Sequence, residues 1–239
     1  KQGIHWKEDP CGYTGSCKGT CPVCDEKAER IWTKLHEEDE DFKDVGQARA
    51  CIRGIERLRF DTDGKGIRTL VSMDKCMSQC RYCINEEYIN KLPLSETITT
   101  SFLQNKIKKD AVYFEMTDGG VTFGGGEPLL CADFIREFHE KYPEWNLAVQ
   151  TSLNVESRSV EQLVSAINTW YIDIKDMNPE IYENYTRCTN DMVLRNLRYL
   201  QKHVLPDRII VRVPHIPEFN GDEDVAKSIK QLKKMGVEN

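Results

Sequence analysis

The sequence predicts an α/β fold with parallel strands and a site at their carboxyl ends. Five short apolar or β-branched runs follow one another from residue 66: "GIRTLVSM", "GVTFGGG", "NLAVQTS", "WYIDIKD" and "RIIVRVPHI". Each is bounded by Gly, Asp, Asn or Pro, as strands are. Helix-like segments alternate with them, and strands alternating with helices imply parallel pairing with right-handed crossovers. The residues that carry chemistry sit where the strands end: three cysteines after the first run, Gly-Gly-Glu after the second, Asp173 and Lys175 at the fourth. An open sheet and a barrel satisfy the alternation equally, but this placement favours a barrel-type site.

Each strand run is nearly continuously apolar, as strands buried on both faces are. The intervening helices are expected over "SETITTSFLQNKIKK", "LLCADFIREFHEKY", "SVEQLVSAINT" and "PEIYENYTRCTNDMVLRNLRYLQKH". Several open on Ser, Asp or Pro, residues suited to a helix start.

The chain divides near residue 55. Residues 1–55 form a Cys-rich, metal-binding segment with connecting helices, and 56–239 form the main domain. Residues 1–25 are rich in Cys, Gly and Pro with little periodicity, so something must staple them. "DEKAERIWTKLHEEDEDF" reads as a helix, with Ile31 and Leu35 at helical spacing. Its acidic run is a solvated face. "VGQARACIRGIERLRF" reads as a second short helix.

Composition excludes several classes. The net charge of −6 argues against nucleic acid as a partner, since phosphate binding wants a basic stripe. No apolar run approaches the roughly 18 residues of a membrane span. Ten cysteines could mean disulfides, but seven fall into two tight clusters, leaving Cys51, Cys131 and Cys188 as small buried hydrophobes. Metal ligation in a reducing, cytoplasmic compartment is the better reading. The five histidines are expected at surface or packing positions.

"SMDKCMSQCRYCIN" places Cys76, Cys80 and Cys83 at C-x3-C-x2-C spacing. Thiolates hold iron–sulfur clusters, and four would saturate a cubane. Three leave one iron free for a ligand. A partial zinc site completed by a remote His or Cys fits the spacing equally well.

The surroundings of these cysteines resemble the radical S-adenosylmethionine (SAM) superfamily, and within it the activating enzymes of glycyl radical enzymes, pyruvate formate-lyase activase being the familiar one. "DGKGIRTLVSMDKCMSQCRYCIN" matches the Asp-Gly-x-Gly-Ile-Arg element and cysteine motif of that branch. "GGVTFGGGEPLL", "YIDIKDMNPEIYENY" and "VRVPHIP" resemble its later elements in order. The resemblance covers about residues 56 to 239. It implies a partial (β/α)6 TIM-type barrel that cleaves SAM reductively at a [4Fe–4S] cluster. The 5′-deoxyadenosyl radical so formed abstracts hydrogen from a backbone glycine of a partner glycyl radical enzyme. A flavodoxin- or ferredoxin-type donor supplies the electron. A radical SAM enzyme with a peptide or small-molecule target is the alternative.

Residue by residue, the resemblance implies that Cys76, Cys80 and Cys83 hold the cluster, and that Asn85 belongs to the same motif. Gly125 and Gly126 admit the methionine end of SAM and Glu127 accepts from its ammonium. Tyr82 and Ile84 flank the adenine. Asp173, Ile174 and Lys175 lie on a site-facing strand, with a strand-end salt bridge as the bland alternative. Arg212 is a candidate for the SAM carboxylate or the substrate loop, and Asp63 with Arg68 for positioning the incoming glycyl loop. Two departures stand out. Gln150 occupies a position where the family often has the Asp of a monovalent-cation site. The sequence also ends at "GVEN", where the family enters its sixth strand.

Cys11, Cys17, Cys21 and Cys24 form the other cluster. The last three repeat the same spacing, but Val23 replaces the aromatic and no Gly-Ile-Arg strand precedes them. Four sulfurs so close describe a closed site, either structural zinc or an auxiliary [4Fe–4S] cluster.

Overall fold

The structure, a computed structural model, describes residues 47–86 and 96–238. The four N-terminal cysteines and the expected helix that follows them lie outside the described residues. Seven strands form one sheet: β1 (Arg49–Phe60), β2 (Ile67–Met73), β3 (Glu96–Thr99), β4 (Gly120–Gly124), β5 (Leu147–Thr151), β6 (Thr169–Asp173) and β7 (Ile209–Arg212). Their spatial order is β3-β1-β2-β4-β5-β6-β7. From β2 to β7 every pairing is parallel, while β1 runs antiparallel to both β2 and β3. All five expected parallel strands are present, in the arrangement of a partial (β/α) barrel.

The register stacks apolar residues across the parallel strands: Val71 beside Phe123, Phe123 beside Val149, Val149 beside Trp170, Trp170 beside Ile209. All of these are buried. Burying each such side chain contributes about 1.5–3 kcal/mol. Helices cover the outer face: α1 (Thr100–Ile107), α2 (Ala111–Thr117), α3 (Ala132–Lys141), α4 (Ser157–Glu161), α5 (Pro179–Thr186), α6 (Asp191–His203) and α7 (Asp222–Lys234). Phe134 and Phe138 of α3 meet Phe123 edge-on, with ring centroids 6.4 and 6.0 Å away.

The second connecting helix expected before the barrel is instead strand β1. Ala50 and Ile52 are buried while Arg49 is exposed and Cys51 half-buried, a period of two. The register then shifts between Ile52 and Gly54 and between Glu56 and Arg59. Leu58, inside the second irregularity, has φ +55°. These bulges break the alternation, and helix-forming Arg, Ala and Glu hide the strand. The helix expected to begin at Ser95 likewise starts later. Glu96–Thr99 pairs with β1, and the Thr99 hydroxyl then caps α1 by accepting from the Phe102 amide at 3.2 Å.

Among the described residues no helix is long and apolar enough to cross a membrane.

Candidate functional site

The loops leaving β2, β4, β5 and β6 converge on one cavity of about 260 Å³. Cys76, Cys80 and Cys83 line it, opposite Gly125, Gly126 and Glu127, with Asp173 and Lys175 on a third side. Sequence spacing alone could not show this convergence. It follows from parallel strands, whose carboxyl ends all emerge on the same rim.

The cysteine loop is laced to its neighbours on two sides. On one side the Gly126 amide donates to Met73 O at 3.0 Å, and the Glu127 amide to Lys75 O at 2.7 Å. Asn85 Nδ2 donates to Gly125 O at 2.8 Å. On the other side Gln79 N donates to Thr186 O at 2.9 Å and Arg81 N to Tyr185 O at 3.1 Å, both at the end of α5. Cys188 Sγ reaches Met77 O at 3.7 Å. The glycines make this lacing possible. Gly125 has φ +82°, and a Cβ on Gly126 would run into Lys75 O.

Glu127 is 2% exposed, and its carboxylate accepts four hydrogen bonds. Thr151 Oγ1 lies 2.6 Å away, Ser152 Oγ 2.7 Å, the Ser152 amide 2.9 Å and the Leu129 amide 3.3 Å. Burial pushes this carboxyl up while the four donors pull it down. Glu127 therefore brackets the Gly-rich loop to the end of β5, and an ammonium reaching it would have to share those oxygens.

Asp173 joins two cations. Arg212 Nε donates to its Oδ1 at 2.7 Å, and Lys175 Nζ lies 3.4 Å from its Oδ2. The strand-end salt bridge and the site-facing pair are thus the same residues. Arg212 stacks over Tyr171 at 5.6 Å and reaches the cavity only through Asp173. Ile174, between the two charges, is fully buried and belongs to the core.

Tyr82 and Ile84 also line this cavity. Ile84 borders the cavity but is 92% exposed. Tyr82 packs edge-on against Phe219, and its hydroxyl donates to Glu218 Oε2 at 2.7 Å. Asp63 is buried, paired with the Arg59 guanidinium, and touches the cavity wall through Gln150, whose Nε2 donates to Oδ1 at 3.2 Å. Arg68 is not brought to the cysteines. Its guanidinium is 3% exposed at the amino ends of the strands, bonded to Thr122 Oγ1, Val121 O and Asn146. Burial lowers it to about 10, with Tyr171 and Asp63 opposing the shift. Sequence reasoning missed Tyr182 and Tyr185, which also line the cavity. Their i, i+3 spacing on α5 was the available signal.

All three cysteines are free thiols. Burial pushes Cys76 up to about 12 and Cys80 up to about 11, with Lys175 opposing the shift at Cys80. Among the described residues no His, Cys, Asp and Glu side chains form a group of three that could hold a metal ion. Three thiols spread round a cavity suit a polynuclear cluster, whose thiolates bind separate irons.

Residues 70–236 match the family described as the Radical SAM superfamily. The chain belongs to the radical SAM superfamily. That membership implies SAM and a [4Fe–4S] cluster as cofactors. This radical SAM chain is 32% identical over 189 residues to the indoleacetate decarboxylase activating enzyme of Tractidigestivibacter scatoligenes, covering 74% of the chain and 58% of that protein. It is 35% identical over 188 residues to the 4-hydroxyphenylacetate decarboxylase activating enzyme of Clostridioides difficile strain 630, covering 77% and 58%. It thus spans somewhat over half the length of these relatives. Among solved structures, Streptococcus suis SuiB bound to its precursor peptide SuiA aligns with a TM-score of 0.57 at 12% identity. That alignment covers 90% of the chain and 42% of SuiB, a likeness of fold alone.

Proposed function

We propose that this chain carries the SAM-cleaving site of an activating enzyme for a glycyl radical enzyme. The observation that carries the reading is the lacing of the cysteine loop to the Gly-rich loop, which turns three thiols and a side-chain-free backbone toward one cavity. Resemblance to two decarboxylase activating enzymes supports the choice of partner class. When bound, the cluster would supply the electron for reductive cleavage of SAM, radical chemistry that this reading directs at a partner's backbone glycine.

In this reading Cys76, Cys80 and Cys83 would hold the cluster and leave it an open position for SAM. Gly125 and Gly126 let the backbone approach the methionine end. Glu127 holds that backbone in place and offers its oxygens to the ammonium. Asp173, Lys175 and Arg212 form a polar wall whose charges are already balanced against one another. Tyr82 and Asn85 order the rim near the adenine, and Asp63 supports it from below through Gln150. Cys11, Cys17, Cys21 and Cys24 bind a second [4Fe–4S] cluster or a zinc ion, and a flavodoxin- or ferredoxin-type protein delivers the electron.

Anaerobically reduced protein incubated with SAM and a candidate glycyl radical enzyme tests this. Formation of 5′-deoxyadenosine together with a glycyl doublet in electron paramagnetic resonance is expected. Deoxyadenosine without any glycyl signal from any candidate would shift the target to a peptide or small molecule. Protein that takes up only zinc and never consumes SAM would end the reading.

A further inference from the structure

Two hydroxyls in the wall of the cysteine cavity have no hydrogen-bond partner. Tyr182 Oη and Ser78 Oγ are both buried and unsatisfied, Tyr182 with 0% of the residue exposed and Ser78 with 8%. Leaving a buried hydroxyl unpaired costs about 1–3 kcal/mol, and folded proteins rarely tolerate it without a reason. Phenylalanine would fill the space of Tyr182 and avoid that cost. Both residues border the cavity that Cys76, Cys80 and Cys83 line.

The neighbourhood narrows what the missing partner is. Tyr182 comes from α5, the helix whose end is bonded to the cysteine loop through Thr186 and Tyr185. Apart from burial, the groups that act on its phenol are Cys80, Cys188, Glu127 and Cys76, all of which favour its protonated form. The Glu127 oxygens are already taken by Thr151, Ser152 and Leu129. Cys188 directs its sulfur to Met77 O. Of the groups that act on the phenol, Cys80 and Cys76 belong to the cysteine loop, and their sulfurs have accepting capacity left. Ser78 lies between Cys76 and Cys80, and its backbone amide already supports the Cys76 thiolate. A protonated phenol and an alcohol are donors, and thiolate and sulfide sulfurs accept such donors.

We infer that Tyr182, with Ser78 as a second donor, hydrogen-bonds to sulfur of the cluster held by Cys76, Cys80 and Cys83, and thereby raises its reduction potential. The inference rests on the cluster reading above. Donors to cluster sulfur stabilise the more negatively charged, reduced state, so removing one makes the cluster harder to reduce.

Wild type, Tyr182→Phe and Ser78→Ala are reconstituted anaerobically without SAM, assayed for iron and acid-labile sulfide, and titrated by electron paramagnetic resonance against a poised mediator. Tyr182→Phe is expected to load as wild type does. At a fixed poise its ratio of reduced to oxidised cluster should fall roughly threefold or more, about 28 mV for a one-electron couple. Ser78→Ala should move in the same direction. Before iron is added, Tyr182→Phe should unfold no earlier than wild type in urea, since only an unpartnered oxygen is lost. A wild-type midpoint in the loaded Tyr182→Phe protein overturns the assignment of Tyr182, and a wild-type midpoint in Ser78→Ala removes Ser78. A marked loss of urea stability in apo Tyr182→Phe overturns it too, because the hydroxyl would already have a partner. Wild type that takes up no iron and sulfide defeats the cluster reading itself, a result distinct from an unchanged midpoint.

Discussion

Gln150 Nε2 donates to Asp63 Oδ1 at 3.2 Å, tying the turn between β1 and β2 to the carboxyl end of β5. The amide serves as a neutral donor to a buried acid that also pairs with Arg59. Gln150→Glu would replace that donor with a second negative charge. A loss of about 1–2 kcal/mol at pH 7 is expected, shrinking near pH 4 as carboxylates begin to protonate. Urea denaturation at the two pH values checks it, and equal losses at both would contradict the charge argument.

Two glycines should respond in opposite ways. Gly126→Ala drives a Cβ into Lys75 O, so the strap between the Gly-rich loop and the cysteine loop must part. That variant should lose iron retention after desalting while keeping most of its helical circular dichroism. Gly54, in β1, has nothing within 4 Å of an added Cβ and no positive φ. Gly54→Ala should therefore be neutral or raise stability by about 0.4–1 kcal/mol through the unfolded chain.

The two cysteine clusters are expected to separate by function. Cys80→Ala should abolish SAM cleavage, measured as 5′-deoxyadenosine, because it removes one of three thiols around the cavity. Cys17→Ala, in the N-terminal cluster, should lower stability and leave cleavage measurable. Residual turnover of the Cys80 variant equal to wild type would refute the assignment.

The apo protein should weaken in alkali. Burial raises Cys76 from 9.0 to about 12, and Cys80 and Cys131 to about 11. A thiol that holds its proton more tightly folded than unfolded adds stability below pH 9, and that contribution drains away as pH climbs toward 11–12. Urea midpoints of metal-free protein between pH 8.5 and about 10.5 should fall, and Cys76→Ser with Cys80→Ser should flatten part of the slope.

Much of the barrel was legible because buried parallel strands are written as uninterrupted apolar runs, as in "NLAVQTS" and "WYIDIKD". β1 was not, since two bulges and residues such as Arg53 and Glu56 mask its alternation. At the site, motif spacing announced Cys76, Cys80, Cys83 and the Gly-Gly-Glu turn. It could not announce that the Glu127 oxygens face Thr151 and Ser152, or that Arg68 is drawn under the strands to Thr122 and Asn146. Those outcomes depend on contacts between residues 24 to 78 positions apart, which local patterns do not encode.

The bonds from Gln79 and Arg81 to Thr186 and Tyr185 join segments about a hundred residues apart. During synthesis the cysteine loop therefore leaves the ribosome long before the helix that braces it. Iron delivered to the nascent chain would meet an unsupported loop, whereas iron delivered after release meets a braced one. A cluster held by these cysteines would therefore be expected to load more readily on the finished domain than on the nascent chain.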